Sequence, residues 1–284
     1  MRIIHTVCPF RLFVLFASFV VLFTMMLFNF QLRQINEISP FGYENQLSLH
    51  WYGLTDGWFW LHVGDDELFR FNDALINQWK VAGESWDNPY AEYFVVCLWE
   101  DLMDILPSIL EPIPEDILQQ CDPGQKGWQY LNREEAWLER YDDWSTWRMG
   151  TGWLRSRQLY ATYLVLYPGI RFWTDGETLF ITWDNHDCLD NGIPIWSTQQ
   201  GQYALPLARF IDEVRSFDAR LIAAMDQRVK SAQMDWPFPN VAIDIDFLEV
   251  DHRERATKMD QAFTRSRQQK TDWDGVRKAM DIIG

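Results

Sequence analysis

A chain of 284 residues that is 48% hydrophobic, with 16 Trp and 19 Phe, is long enough to bury an ordinary core and too apolar for general disorder. The formal net charge is −16 and is concentrated: of 41 acidic and 25 basic residues, five and eleven lie outside Gln34–Asp251, which leaves that span 36 against 14 and a net of −22. A surface of that sign repels phosphate backbones, so direct nucleic-acid binding is excluded, and what remains is plain solubility or attraction to a basic protein.

The first 27 residues form an apolar segment. Leu12 to Leu27 is interrupted only by Ser18 and Thr24 and follows Arg2, His5 and Arg11, the outline of a signal-anchor, though short against the ~20 residues a span needs. No small-x-small cleavage site follows it. Phe28, Phe30 and Leu32 then alternate with Asn29, Gln31 and Arg33, the period of a half-buried strand, with no spacer between. Met25 and Met26 stand just before that strand. The expectation is an internal start there and a cytoplasmic protein; if Met1 is the start, the chain is a single-pass inner-membrane protein with its body outside the cytoplasm. Four cysteines (Cys8, Cys97, Cys121, Cys188) show no CxxC spacing and no histidine at ligand spacing. Buried free thiols in a reducing compartment are the reading that follows.

Leu47 to Phe71, LSLHWYGLTDGWFWLHVGDDELFRF, reads as three short strands. Thr55-Asp56-Gly57 is expected to turn the first into the second, and Gly64-Asp65-Asp66 the second into the third, because glycine supplies the positive φ of tight turns. Asn88-Pro89 reads as N-cap and first residue of a helix carrying Tyr90, Phe94, Leu98, Leu102 and Ile105, ending near Pro107, with Glu92, Glu100 and Asp104 on a solvated face. A short helix covers Glu115 to Gln120. Leu131 to Arg148 is helical by composition and ends at Gly150 and Gly152.

A second β-rich block follows. Tyr160 to Leu166, Ile170 to Trp173 and Thr178 to Trp183 read as strands, with turns at Pro168-Gly169, Thr174-Asp175-Gly176, Asp190-Asn191-Gly192 and Gly201. The TDG tripeptide thus occurs in both blocks, a weak internal echo. From Pro206 the longest helix carries one apolar stripe, Leu207, Phe210, Ile211, Val214, Phe217, Leu221 and Met225, suited to lying on a sheet. Val241, Ile243 and Ile245 alternate as a brief strand. Asp246 with Glu249 reads as a capping box for a charged helix to about Arg267, and Thr271 with Asp274 begins a terminal one. The fold class is therefore α+β: antiparallel aromatic-rich meanders packed by amphipathic helices in one domain at 28–245, with a charged helical tail at 246–284.

Assembled in this order, LHWYGLTDGWFWLHVGDDELFRF, LWEDLMDILPSILEPIPEDI (Leu98 to Ile117), RFWTDGETLFITWDNHD (Arg171 to Asp187), IPIWS and LPLARFIDEVRSFDARLIAAM resemble a bacterial family of uncharacterised proteins classed only as a domain of unknown function. The resemblance covers roughly Phe28 to Asp246 and implies an opening F-x-F-x-L strand, matched here by Phe28 to Leu32, which makes the upstream apolar segment a departure. It implies no activity, ligand or catalytic residue.

The sequence holds no HExxH, no GxSxG, and no phosphate-binding glycine loop. Asp184, Asp187 and Asp190 in WDNHDCLDNG lack the ligand alternation of a calcium loop, so no metal and no cofactor is assigned, and no catalytic residue. One enzymatic pattern remains. Asp56, Asp65, Asp66 and Glu67 on the turns of one block, and Asp175, Glu177, Asp184 and Asp187 on the other, could flank a sugar bond, with Trp58, Trp60, Trp173 and Trp183 as stacking platforms. Against it, the acids read as turn formers and the tryptophans as core. The leading functional expectation is a non-catalytic acidic interaction protein, immunity-type in its most concrete form, that binds a basic protein; carbohydrate binding or carbohydrate chemistry is the alternative.

Overall fold

The computed structural model describes residues 25–43, 46–83, 88–119, 144–234 and 236–283. The candidate span from Leu12 lies outside these residues except for its last three, and the predicted helix from Leu131 lies outside them up to residue 143. Among the described residues no helix is long and apolar enough to cross a membrane. The architecture is α+β, with antiparallel sheets packed by helices, as the alternation of the aromatic strands requires.

The first sheet is built on β3 (Asp56–Val63), which strictly alternates half-buried and buried residues. β1 (Phe28–Leu32) pairs with it antiparallel along Phe28↔Leu61 to Leu32↔Gly57. The intervening β2 (Leu47–Ser48) joins a different, parallel pair with β12 (Val241–Ala242). Thr55-Asp56-Gly57 is therefore not a hairpin turn: a single 3-10 turn over Gly53–Thr55 leads into β3, and Gly57 is needed because a β-carbon there would run into the Gln31 carbonyl of β1. The second expected reversal is present. β3 folds back onto β4 (Asp66–Leu68) in the register Val63↔Asp66, with Gly64 at φ +65°. Helix α1 (Asp73–Val81), capped by the Asn72 side chain, occupies a stretch that reads as polar connection. β5 (Ala91–Phe94) then adds to β3 before α2 (Val95–Ile109) begins, so the helix expected from Asn88-Pro89 starts six residues later and runs through Pro107. Tyr90 and Phe94 satisfy both periods, and pairing of Asp56↔Phe94 to Phe59↔Ala91 decides for the strand.

After α3 (Glu115–Leu118), α4 (Trp144–Arg155) passes through Gly150 and Gly152 instead of ending there, its Trp153 and Leu154 being buried. The second sheet has the order β11-β8-β7-β6, from β6 (Gln158–Leu159), β7 (Gly169–Thr174), β8 (Thr178–Asp184) and β11 (Gln200–Pro206). The strand expected at Tyr160 to Leu166 is thus replaced by two earlier residues and a loop. The turn at Asp175-Gly176 is as expected: Asp175 Oδ1 accepts from the Glu177 and Thr178 amides, with Gly176 at φ +103°. β9 (Leu189–Asp190) and β10 (Ile193–Pro194) form a small hairpin whose Asn191-Gly192 corner has both φ values positive, as a type I′ turn demands. Gly201 is inside β11; a β-carbon there would collide with the Trp183 ring that lies over it.

The stripe of α5 (Leu207–Met234) buries Phe210, Val214, Phe217, Leu221 and Met225. Phe217 stacks on Phe28 of the first sheet at 5.5 Å, and Phe210 lies 6.2 Å from Phe28 and 5.9 Å from Phe172 of the second. Phe210 is the seam between the sheets. The predicted charged helix is two, α6 (Ile245–Arg255), capped by Asp244 and not Asp246, and α7 (Lys258–Ser266); Leu248, Met259 and Ala262 belong to the same core. α8 (Trp273–Ile283) packs on α4. A smaller core of Ile113, Ile117, Trp153, Leu154, Trp173 and Val276 lies beneath it, bordered by fully buried Arg157, which is bonded to Glu111 at 3.1 Å with its guanidinium 5.2 Å over Trp273. Truncating the seam, Phe210→Ala, is expected to lower unfolding stability by about 3–5 kcal/mol in urea titrations; a loss under about 1 kcal/mol would show that the seam is not close-packed.

Candidate functional site

The expected site residues separate into three places. Asp56, Trp58 and Trp60 stay together on the outer face of the first sheet, where cross-strand pairing sets Gln31 opposite Trp58 and Asn29 opposite Trp60. Arg33 Nε binds Asp56 at 3.0 Å, its other arm meets Glu92, and its guanidinium lies 4.4 Å over the Trp58 ring. Tyr90 stacks on Trp60 at 4.1 Å and donates to Glu67 Oε1 at 2.8 Å; burial, then Glu67, pushes the Tyr90 hydroxyl up to about 12. Both indoles are half-buried, and each has an internal partner on its ring.

Trp173 and Trp183 are core residues, each 2% exposed, so neither is a platform for a ligand. Asp175, in the turn beside Thr178, and Asp184, the last residue of β8, lie at opposite ends of that strand, roughly 20 Å apart. That separation is about twice the widest spacing that a pair of glycosidase carboxylates allows.

Asp65, Asp66 and Asp184 do come to one end of the molecule, through the segment Trp196–Gln200. Ser197 N donates to Arg70 O (2.8 Å) and its hydroxyl to Glu67 O (3.3 Å), which ties this segment to the β4 side. On the other side Asn185, 1% exposed, donates its amide to Gln199 O (2.6 Å) and its side chain to Thr198 O (2.9 Å), while Gln200 pairs with Asp184. Asp184 Oδ1 is bonded to His186 Nδ1 at 2.8 Å. Asp65, Asp66 and Asp187 are exposed, and among the described residues no basic side chain lies within ion-pair distance of them. The result is an acidic margin at the junction of the two sheets. Its components were visible in the sequence, but the segment that joins them was not, since Ser197 and Asn185 act through main-chain contacts.

A buried polar cluster under α2 carries no sequence signal beyond membership of an acidic helix. Tyr52 Oη and Cys97 Sγ are 2.7 Å apart, and Tyr163 stacks on Tyr93 at 4.7 Å. Asp101 Oδ2 and the Tyr163 hydroxyl are buried without a well-formed hydrogen bond among the described residues, although the hydroxyl is close enough to Asp101 to favour its charged form. Burial, reinforced by Asp104 and Glu100 and opposed by the Tyr163 hydroxyl, pushes the Asp101 carboxyl up to about 7. The Cys97 thiol is pushed up to about 11, mainly by burial, and burial raises Cys188 as well. Both thiols are therefore protonated at neutral pH and poor nucleophiles. Among the described residues no three His, Cys, Asp or Glu side chains are grouped to hold a metal ion.

A family model described as a family of unknown function, DUF5984, matches residues 27–279. No curated protein and no solved structure matches the chain.

Asp101 gives a pH prediction. Its folded pKa lies above the unfolded carboxylate value, so its contribution to stability is complete below about pH 4 and is lost as pH rises to about 7. Asp101→Asn is expected to be more stable than the parent at pH 8, by about 1–3 kcal/mol, with the difference shrinking toward pH 5. A constant difference across that range in chemical denaturation would contradict the assignment.

Proposed function

We propose that this chain, which belongs to the DUF5984 family of unknown function, is a non-catalytic acidic interaction protein that binds a basic protein partner. The supporting observation is the way charge is divided between inside and outside. The guanidinium groups of Arg33, Arg157, Arg220, Arg228 and Arg255 are all engaged with carboxylates or carbonyls of the chain itself. Asp65, Asp66 and Asp187, the exposed acids at the sheet junction, have no such counterpart among the described residues. A field left unbalanced in this way accelerates encounter with a cationic surface and is screened by salt. In its most concrete form the protein is an immunity-type protein of a bacterial cytoplasm that covers a basic toxin.

A second reading is carbohydrate binding on the outer face of the first sheet, favoured by the adjacent Trp58 and Trp60 with Asn29 and Gln31 opposite them. Aromatic rings flanked by amides suit a sugar ring, although Arg33 and Tyr90 already lie on the two indoles.

Capture from the native host at low salt, followed by stopped-flow with the purified partner, tests the leading reading. The association rate is expected to fall steeply between about 20 and 300 mM salt, by tenfold or more, and the double variant Asp65→Asn/Asp66→Asn to associate several-fold more slowly with little change in dissociation. A rate indifferent to salt would contradict the proposal, and glycan binding abolished by Trp58→Ala would replace it with the second reading.

A further inference from the structure

We propose that the outer edge of β11 accepts an extended basic segment of a partner protein, which joins the second sheet as an additional antiparallel strand. The inference rests on the basic-partner reading above and specifies where and by what contacts the partner is held.

The ladder between β11 and β8 has a definite parity. Asn185 N donates to Gln199 O at 2.6 Å at one end and Leu207 N to Glu177 O at 2.7 Å at the other, in one continuous register with no bulge. Odd-numbered residues of β11 therefore exchange main-chain bonds with β8, and even-numbered ones face away. Gln200, Gln202 and Ala204 point N–H and C=O outward, and no main-chain partner for them exists among the described residues. Pro206 holds the next outward position and has no N–H to offer, so it closes the open edge at that end.

Open edges are ordinarily guarded by lysine, inward-pointing charge, bulges or proline within the strand. β11 is seven residues long, roughly 23 Å, and its sequence QGQYALP contains no charged side chain. The charge lies around it. Asp184 stands opposite Gln200 at one end, Glu177 follows at the other, and the β3–β4 turn carrying Asp65 and Asp66 abuts the Tyr203 ring through Gly64. An extended chain rich in lysine or arginine would gain main-chain bonds from the edge and Coulomb attraction from these flanking carboxylates. A second copy of this chain would bring the same acids face to face.

The test uses the full chain and a decapeptide of alternating lysine and valine, compared by calorimetry with the same peptide N-methylated at its four central residues. Charge is unchanged by methylation, whereas strand pairing is blocked. The parent peptide is expected to bind about tenfold or more tightly than the methylated one and to slow hydrogen exchange at the Gln202 and Ala204 amides. Ala204→Pro removes one outward N–H without touching the β8 ladder and should weaken the parent peptide while leaving the urea midpoint near that of the natural chain. Equal, salt-sensitive binding of both peptides would overturn the edge proposal and leave the basic-partner reading standing. Binding of neither at low salt would count against both.

Discussion

Helix α5 supplies polar partners to main-chain groups at the two ends of β1. Buried main-chain groups must be paired, and side chains spaced along α5 meet this need on β1 and its flanks. Glu213 accepts from Leu27 N at 2.8 Å, Arg220 donates to Phe28 O, and Arg228 donates to Arg33 O and Leu54 O. The apolar stripe of the same helix fills the space beneath both sheets through Phe217 and Phe210. One element thus joins the sheets and ties down both ends of β1. Burial lowers the Arg228 guanidinium to about 10, so it still carries its proton at neutral pH and the bonds persist.

This use of arginine has an electrostatic consequence. Cations drawn inward to satisfy carbonyls and buried carboxylates, as at Glu111–Arg157, no longer balance the acids outside. The acidic exterior is therefore coupled to how the interior is satisfied, over and above the composition. It also bears on β11: like charges around an open edge discourage pairing between copies of the chain, a form of protection that a cationic segment does not meet.

What was legible in the sequence depended on how local its cause is. The long apolar stripe from Leu207 and the Asp175-Gly176 turn are determined within a few residues, and both stand as read. The first TDG has the same three letters and another role, because Gly57 is required by the close approach of β1, whose partner lies some thirty positions away in the chain. The same limit hid the partner of β2, which was read as a strand but pairs with β12 across most of the chain, and it hid β5, whose aromatic spacing fits a helix equally well. For the site, burial was the missing quantity. Trp58 and Trp183 look alike in sequence, yet one lies on a solvent face and the other seals Gly201 inside the second sheet. Asp101 carries no mark in the sequence that separates it from the other acids of its helix, and only its burial sets it apart.

Binding of a basic strand requires that β11 be an open, correctly phased edge at the rim of an acidic surface. Residue-resolved hydrogen exchange on the isolated protein measures this directly. Gly201, Tyr203 and Leu205, bonded to β8, are predicted to exchange slowly, and Gln202 and Ala204, pointing outward, to exchange orders of magnitude faster. Uniformly slow exchange along the strand would mean that the edge is already covered, and would contradict that requirement.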